Sequence, residues 1–148
     1  MNTSFNGHYF TAKYSGISRV LKSKVFVESA ILKNNKEEIE ALWDTGASCS
    51  MIRPEVVKNL NLIPISKTTI GTPSGKDIPS NVYLINLYLP NKVVIENVRV
   101  VEGIPNNCQM LIGMDVINCG DFVVTNYNGT VFSFRMPSME GMDFVNHS

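Results

Sequence analysis

Short runs of β-branched and aromatic residues, broken every few positions by Asn, Gly and Pro, leave this chain little room for anything but a β fold. The runs cover residues 24–32, 38–43, 66–70, 78–88, 92–101, 122–125 and 130–134, with a short apolar run at 108–112 stopped by Gly113. The last pair flanks Asn126-Tyr127-Asn128-Gly129, and Asn-Gly between β-rich runs is the strongest local hairpin signal. Residues 24–32 and 38–43 predict a hairpin around Asn34-Asn35. Its second strand ends in the apolar Ala41-Leu42-Trp43, enters the core and delivers Asp44 at its buried end. Residues 66–70 and 78–88 flank Gly71-Thr72-Pro73-Ser74-Gly75-Lys76, predicting a long hairpin with a mobile tip. Helix is expected only at residues 54–60, where Pro54 suits the first turn and Val56, Val57 and Leu60 share a face, and as a turn at 114–118 capped by Gly120. The sum is roughly seven to nine strands and one or two short helices, an all-β chain of the barrel or sandwich class.

A length of 148 residues fits one domain and can bury a core without disulfide or metal staples. The expected division is a domain at 19–137 with an N-terminal extension, 1–18, and a C-terminal tail, 138–148. Thirteen basic residues balance thirteen acidic ones, so the chain lacks the charge footprint of a nucleic-acid binder. No apolar run approaches the ~18 residues of a membrane span, and residues 1–16 lack the plan of a secretory signal, so no membrane partner is expected. Cys49, Cys108 and Cys119 are an odd number at spacings that fit no zinc motif, and His8 and His147 sit near the ends. No metal or cofactor is therefore expected, and a reduced, cytoplasmic setting is the simplest reading. Cys108 and Cys119 read as core thiols. The aromatic segment with Phe5, His8, Tyr9, Phe10 and Tyr14 reads as packing on the barrel or adding a strand.

Chemistry concentrates in Ala41-Leu42-Trp43-Asp44-Thr45-Gly46-Ala47-Ser48. A carboxylate at the end of an apolar strand is costly to bury unless it is hydrogen-bonded. The small residues after it can hold it in a tight loop with open space above: Thr45 offers a hydroxyl, Gly46 allows close backbone approach, and Ala47 leaves room. The competing reading is an ordinary turn, because Asp, Thr and Gly are common turn residues.

This segment resembles the active-site loop of retropepsin-like aspartic proteases, in which two hydrophobic residues precede Asp-Thr/Ser-Gly-Ala/Ser. A second element of that family, two apolar residues followed by Gly, any residue and Asp or Asn, is matched by Leu111-Ile112-Gly113-Met114-Asp115. A flap hairpin stands between them at residues 69–79, and Phe132-Ser133-Phe134-Arg135 resembles the closing strand of single-domain bacterial and prophage members. The resemblance covers about residues 20–137 and implies a closed β-barrel with a flap and one or two short helices.

It also implies a mechanism. Aspartic proteolysis needs two carboxylates sharing a proton, one activating water and one protonating the scissile carbonyl. A chain with one Asp-Thr-Gly then supplies half a site, so the resemblance implies a homodimer that pairs Asp44 of each subunit and cuts a peptide or protein substrate. Thr45 would brace the two loops, Gly46 would offer its carbonyl to substrate, and Gly113 would support the loop. Ala47, Ser48 and Cys49 would line the cleft, closed over by Thr72, Pro73, Ser74, Gly75 and Lys76. Asp115 reads as structural and Trp43 as a core or dimer-facing residue. Ser48 and Met114 stand where many viral members carry an Asp and an Arg whose ion pair supports the dimer, so a dimer here needs another packing solution. The alternative is a protease-like fold that binds peptides or assembles without turnover.

Overall fold

Alternation sets how the strands pack. Along Lys22–Ser29 (β2) Val25 and Val27 are buried, and along Lys36–Trp43 (β3) Ile39, Ala41 and Trp43 are, so each strand presents one apolar face. The computed structural model describes residues 8–146; residues 1–7, with Phe5, and His147 and Ser148 lie outside the described residues. The remaining elements are β1 (His8–Lys13), β4 (Met51–Ile52), α1 (Pro54–Asn59), β5 (Ser66–Gly71), β6 (Asp77–Leu89), a 3-10 turn (Pro90–Lys92), β7 (Val93–Glu102), β8 (Met110–Ile112), α2 (Met114–Ile117), β9 (Asp121–Thr125) and β10 (Val131–Met136).

Six strands hydrogen-bond in a ring, β2-β3-β8-β4-β7-β6, and β6 returns to β2. The pairs β3–β8 and β4–β7 are parallel and the rest antiparallel, which makes a closed mixed barrel. The chain therefore has the all-β closed barrel expected of it, with two short helices. Strand β5 pairs only with β6, outside the ring, so the expected flap hairpin projects from the wall. The ladder between β6 and β7 shifts register between Ile85 and Leu87, where Asn97 adopts φ +57°. The buried Asn86 side chain fills that gap: its Oδ1 accepts the Asn97 N–H at 3.1 Å and its Nδ2 donates to Glu28 Oε1 at 3.0 Å. Tyr88 also donates to Glu28, which holds the Glu28 carboxyl below the usual range and pushes the Tyr88 phenol up to about 12.

A second sheet, in the order β1-β10-β9, packs on the barrel through aromatics. The Trp43 ring has Phe10, Phe122, Phe132 and Phe134 with centroids 5.3–6.0 Å away, and its Nε1 donates to Ser23 Oγ at 2.9 Å. Part of the segment read as an N-terminal extension thus lies inside the fold, since β1 pairs with β10 from His8↔Met136 to Lys13↔Val131 and buries Phe10. With the two-residue β4 it brings the strand count among the described residues to ten, above the expected seven to nine.

Three local expectations are corrected. Strand β2 ends at Ser29, not residue 32, because the Ser29 hydroxyl accepts the N–H groups of Ile31 and Leu32 and turns the chain. Gly120 is not a left-handed helix cap; it permits a backbone crossing, since a Cβ there would lie 1.9 Å from the Arg135 carbonyl oxygen. Cys108 is buried, but Cys119 is exposed at the end of α2.

Residues 138–146 run without strand or helix and are tied to β9 by Asp121. Its carboxylate accepts from Ser138 Oγ, from the Met139 N–H at 2.8 Å and from Arg135 Nε at 2.7 Å, and these bonds hold it well below the usual carboxylate range. A carboxyl that is the stronger acid in the folded state stabilises fully at neutral pH and loses that contribution as pH falls below about 4. Asp121→Asn is expected to lower stability at pH 7 by about 1–2 kcal/mol, with the gap to wild type narrowing toward pH 2 in paired urea titrations. A gap of equal size at both pH values would contradict the assignment.

Candidate active site

The parallel ladder of β3 and β8 sets Asp44 in place. Trp43 pairs with Ile112, and the Asp44 N–H continues the ladder to the Ile112 carbonyl at 2.8 Å. The Trp43 side chain is buried among the aromatics, whereas Asp44 is half-buried at the point where the strand leaves the core. The chain then turns at once, with the Ala47 N–H on the Asp44 carbonyl at 3.2 Å and the Gly46 N–H on Asp44 Oδ1 at 2.8 Å. A Cβ on Gly46 would lie 3.1 Å from that same oxygen, so the glycine lets the carboxylate rest over its own loop. Thr45, Gly46, Ser48 and Cys49 are exposed and Ala47 is half-buried.

The loop is held from behind by the segment around Gly113. The Met114 N–H donates to the Ala47 carbonyl at 2.8 Å. A Cβ on Gly113 would meet the Cys49 carbonyl carbon at 2.8 Å and the Ala47 oxygen at 2.9 Å, so the two backbones cross where only glycine fits. Ser50 fills the crossing and is fully buried; its hydroxyl donates to Asp115 Oδ1 at 2.8 Å and accepts the Gly113 N–H at 3.0 Å. Asp115 Oδ2 takes the Ser50 N–H at 3.0 Å. Asp115 is thus a clamp on the loop, in keeping with its structural reading. Ser50 was not singled out from the sequence; a serine two residues past Ser48 carries no distinguishing signal until its partner at 115 is in place.

Asp44 opens onto two adjoining depressions. One, about 750 Å³, is lined by Leu42 and Leu111 on the floor and by Val20, Lys22, Asn106 and Asn107 at the rim. Arg53 secures that rim, with Nε on the Cys108 carbonyl at 2.7 Å and Nη2 on the Pro105 carbonyl at 2.6 Å. In the other, Asp44 and Thr45 lie beside Phe122 and Val124 of β9. The hairpin of β5 and β6 covers a third cavity of about 670 Å³, lined by Thr72 and Pro73 with Met51, Ile70, Ile78 and Ile104. That volume and lining suit an apolar side chain. Ser74, Gly75 and Lys76 form the tip outside it, where Gly75 takes φ +79° and its N–H closes on the Thr72 carbonyl at 2.9 Å. Within one chain, then, the hairpin tip and Asp44 do not share a pocket; Met51, one residue past Ser50, joins the loop to the covered cavity. Gly103 leaves room for it, since a Cβ there would lie 2.5 Å from the Met51 sulfur. Ile70, Ile78, Leu42 and Leu111 read as ordinary residues of apolar runs in the sequence, Met51 and Ile104 lie outside those runs, and all gain their place at the site only from closure of the barrel.

The arrangement presents one hydrogen-bonded carboxylate on a rigid ladder, able to hold or pass a proton and open to solvent on one side. Its rigidity rests on the crossing at Gly113. Gly113→Ala is expected to cost about 1–3 kcal/mol by overpacking backbone against backbone. Ser50→Ala is expected to cost about 1–3 kcal/mol by leaving the buried Gly113 N–H unsatisfied and removing the bond to Asp115. Urea denaturation of each variant measures both, and stabilities within a few tenths of a kcal/mol of wild type would refute the clamp.

The match to known proteins follows these elements. The family model described as gag-polyprotein putative aspartyl protease matches residues 30–119, from the end of the β2 turn through the Asp44 loop, the hairpin and α2. No curated protein matches the chain. Among solved structures, a retropepsin-like aspartic protease from Rickettsia conorii superposes with a TM-score of 0.57 at 14% identity, covering 92% of this chain and 98% of that one. EIAV protease complexed with the inhibitor HBY-793 gives 0.52 at 19% identity, covering 72% of this chain and 91% of that one. Likeness at these identities establishes the retropepsin-like fold, and the family model, spanning well over half of the residues, establishes descent: the chain belongs to the gag-polyprotein putative aspartyl protease family of the retropepsin-like clan.

Proposed function

We propose that the protein is a homodimeric aspartic endopeptidase in which Asp44 of two subunits forms one catalytic dyad. The observation that carries this reading is the Asp44 loop itself. A carboxylate is fixed by the β3–β8 ladder, bonded by the Gly46 N–H and left open on the side where Thr45 and Gly46 are exposed. The nearby Asp115 has both oxygens taken by Ser50, whereas Asp44 accepts the Gly46 N–H on Oδ1 alone.

In the dyad the two carboxyls share one proton, because close like charges resist ionising together. The ionised member takes a proton from water as the water attacks the scissile carbonyl, and the protonated member donates to the carbonyl oxygen. The pair titrates as a unit. Thr45 braces the two loops and the Gly46 carbonyl accepts a hydrogen bond from an extended substrate backbone. The hairpin tip, residues 72–76, closes over the peptide and excludes water, while the cavity under the hairpin takes a substrate side chain.

Asp44→Asn should abolish cleavage of a peptide library from pH 4 to 7 while circular dichroism and stability stay those of wild type. Specific activity of wild type should fall on dilution through the dissociation range. Cleavage by the variant at the wild-type rate would refute the dyad, and a rate strictly proportional to enzyme down to nanomolar concentration would refute a shared site.

A further inference from the structure

The cavity under the hairpin is apolar over most of its lining, but one half-buried group in its wall carries a charge. Glu102 ends β7, one step beyond the pair Val82↔Val101, and so stands beside Asn81 of β6. It is fixed at two points. The Ser80 hydroxyl donates to its backbone carbonyl, and the buried Tyr83 phenol donates to its Oε2 at 2.8 Å. Burial and the nearby carboxylate push the Tyr83 phenol up, so Tyr83 stays a neutral donor. Holding Tyr83 takes one oxygen and needs no charge, since a neutral acceptor would serve. Among the described residues, ion pairs join Lys22 to Glu40 and Arg135 to Asp121, and none reaches Glu102. A half-buried carboxylate beside apolar surface with no counter-charge is unfavourable in the free protein and gains from any cation brought to it. The other charged residue at this cavity, Lys67 of β5, is exposed and without an ion pair among the described residues, so its side chain is free to extend into solvent.

We propose that the cavity under the hairpin takes a basic side chain of the peptide substrate, Lys or Arg, with its cation on Glu102. This rests on the endopeptidase reading above and names the substrate class at one subsite. The lining that suits an apolar side chain suits equally the methylene stem of a longer one, because Lys and Arg bury their stems and keep their heads on polar groups. Met51, Ile70, Ile78 and Ile104 receive the stem, and the free Oε1 of Glu102 accepts from the head. The volume of about 670 Å³ leaves room for a side chain of that length. Because Tyr83 holds the carboxylate in place before substrate arrives, little ordering is left to do on binding.

The test reads preference as a ratio, so that overall activity cancels. An unbiased peptide library is digested at near-neutral pH, and kcat/KM is then measured for matched peptides with Arg, Met or Glu at the selected position. Wild type should enrich Lys and Arg at one position near the cut and favour Arg over Met, a neutral side chain of similar length, by about tenfold. Glu102→Gln keeps the acceptor for Tyr83 and should bring that ratio to about one. Glu102→Lys should favour Glu over Met. Circular dichroism checks the folding of each variant. Should both misfold, wild type alone decides: raising salt from about 0.05 to 0.5 M should shrink the Arg preference, and a ratio that salt does not move would overturn the proposal. Cleavage by wild type with no basic enrichment, with acidic enrichment, or with the same ratio in folded Glu102→Gln would overturn the role of Glu102 and leave the endopeptidase reading intact. A wild type that cuts nothing in the library would overturn both.

Discussion

The short parallel ladder of β3 on β8, Ala41↔Met110, Leu42↔Leu111 and Trp43↔Ile112, joins two segments far apart in sequence, and the site exists only where they meet. A parallel pair cannot be closed by a tight turn; it needs a long connection. Here that connection carries the α1 helix, the projecting hairpin, β7 and the Arg53-pinned rim. The ladder thus does two things at once. It seals the barrel between β3 and β8, and it sets the backbone of Asp44 against Ile112, so that the carboxylate inherits the rigidity of a core strand without entering the core.

A carboxylate at a strand end needs hydrogen-bond donors but must keep an open face to do chemistry. The loop resolves that conflict with small residues. Gly46 supplies an N–H to Oδ1 and no Cβ to crowd it, and Gly113 lets the supporting backbone pass behind at contact distance. The polar groups freed by that crossing find each other through Ser50 and Asp115, so the second acidic residue of the region is spent on support. The two carboxylates near the crossing differ in their partners: Asp115 gives both oxygens to the buried Ser50, and Asp44 has Oδ1 on the Gly46 N–H.

The sequence conveyed the strands and the loop better than the partners. Runs of β-branched and aromatic residues bounded by turn residues placed β2, β3, β6, β7 and the β9–β10 hairpin within a few residues. The Asp44 segment stood out because its apolar approach and small followers are an unusual combination. What periodicity could not carry was non-local. Ser50 looks like any loop serine until Asp115 reaches it, Gly120 looks like a cap until Arg135 crosses it, and Met51 looks like a lone apolar residue until β4 pairs with both β7 and β8. The aromatic N-terminal segment was open to two readings, and only its register with β10 shows that Phe10 completes the ring cluster around Trp43. Cys119 misled because a cysteine is so often buried that its position at a helix end was outweighed.

Edges connect the fold to its chemistry. A protein that closes six strands into a ring has removed most of the backbone groups through which chains associate. The edges left beside the site are therefore informative. The polar β5 edge belongs to a hairpin over an apolar cavity, the composition expected where a transient peptide strand must enter and leave. The β9 edge, by contrast, carries aromatic and β-branched residues. Under the proposed shared dyad, one chain carries one Asp44 and half of a site, so assembly would set when cleavage can occur.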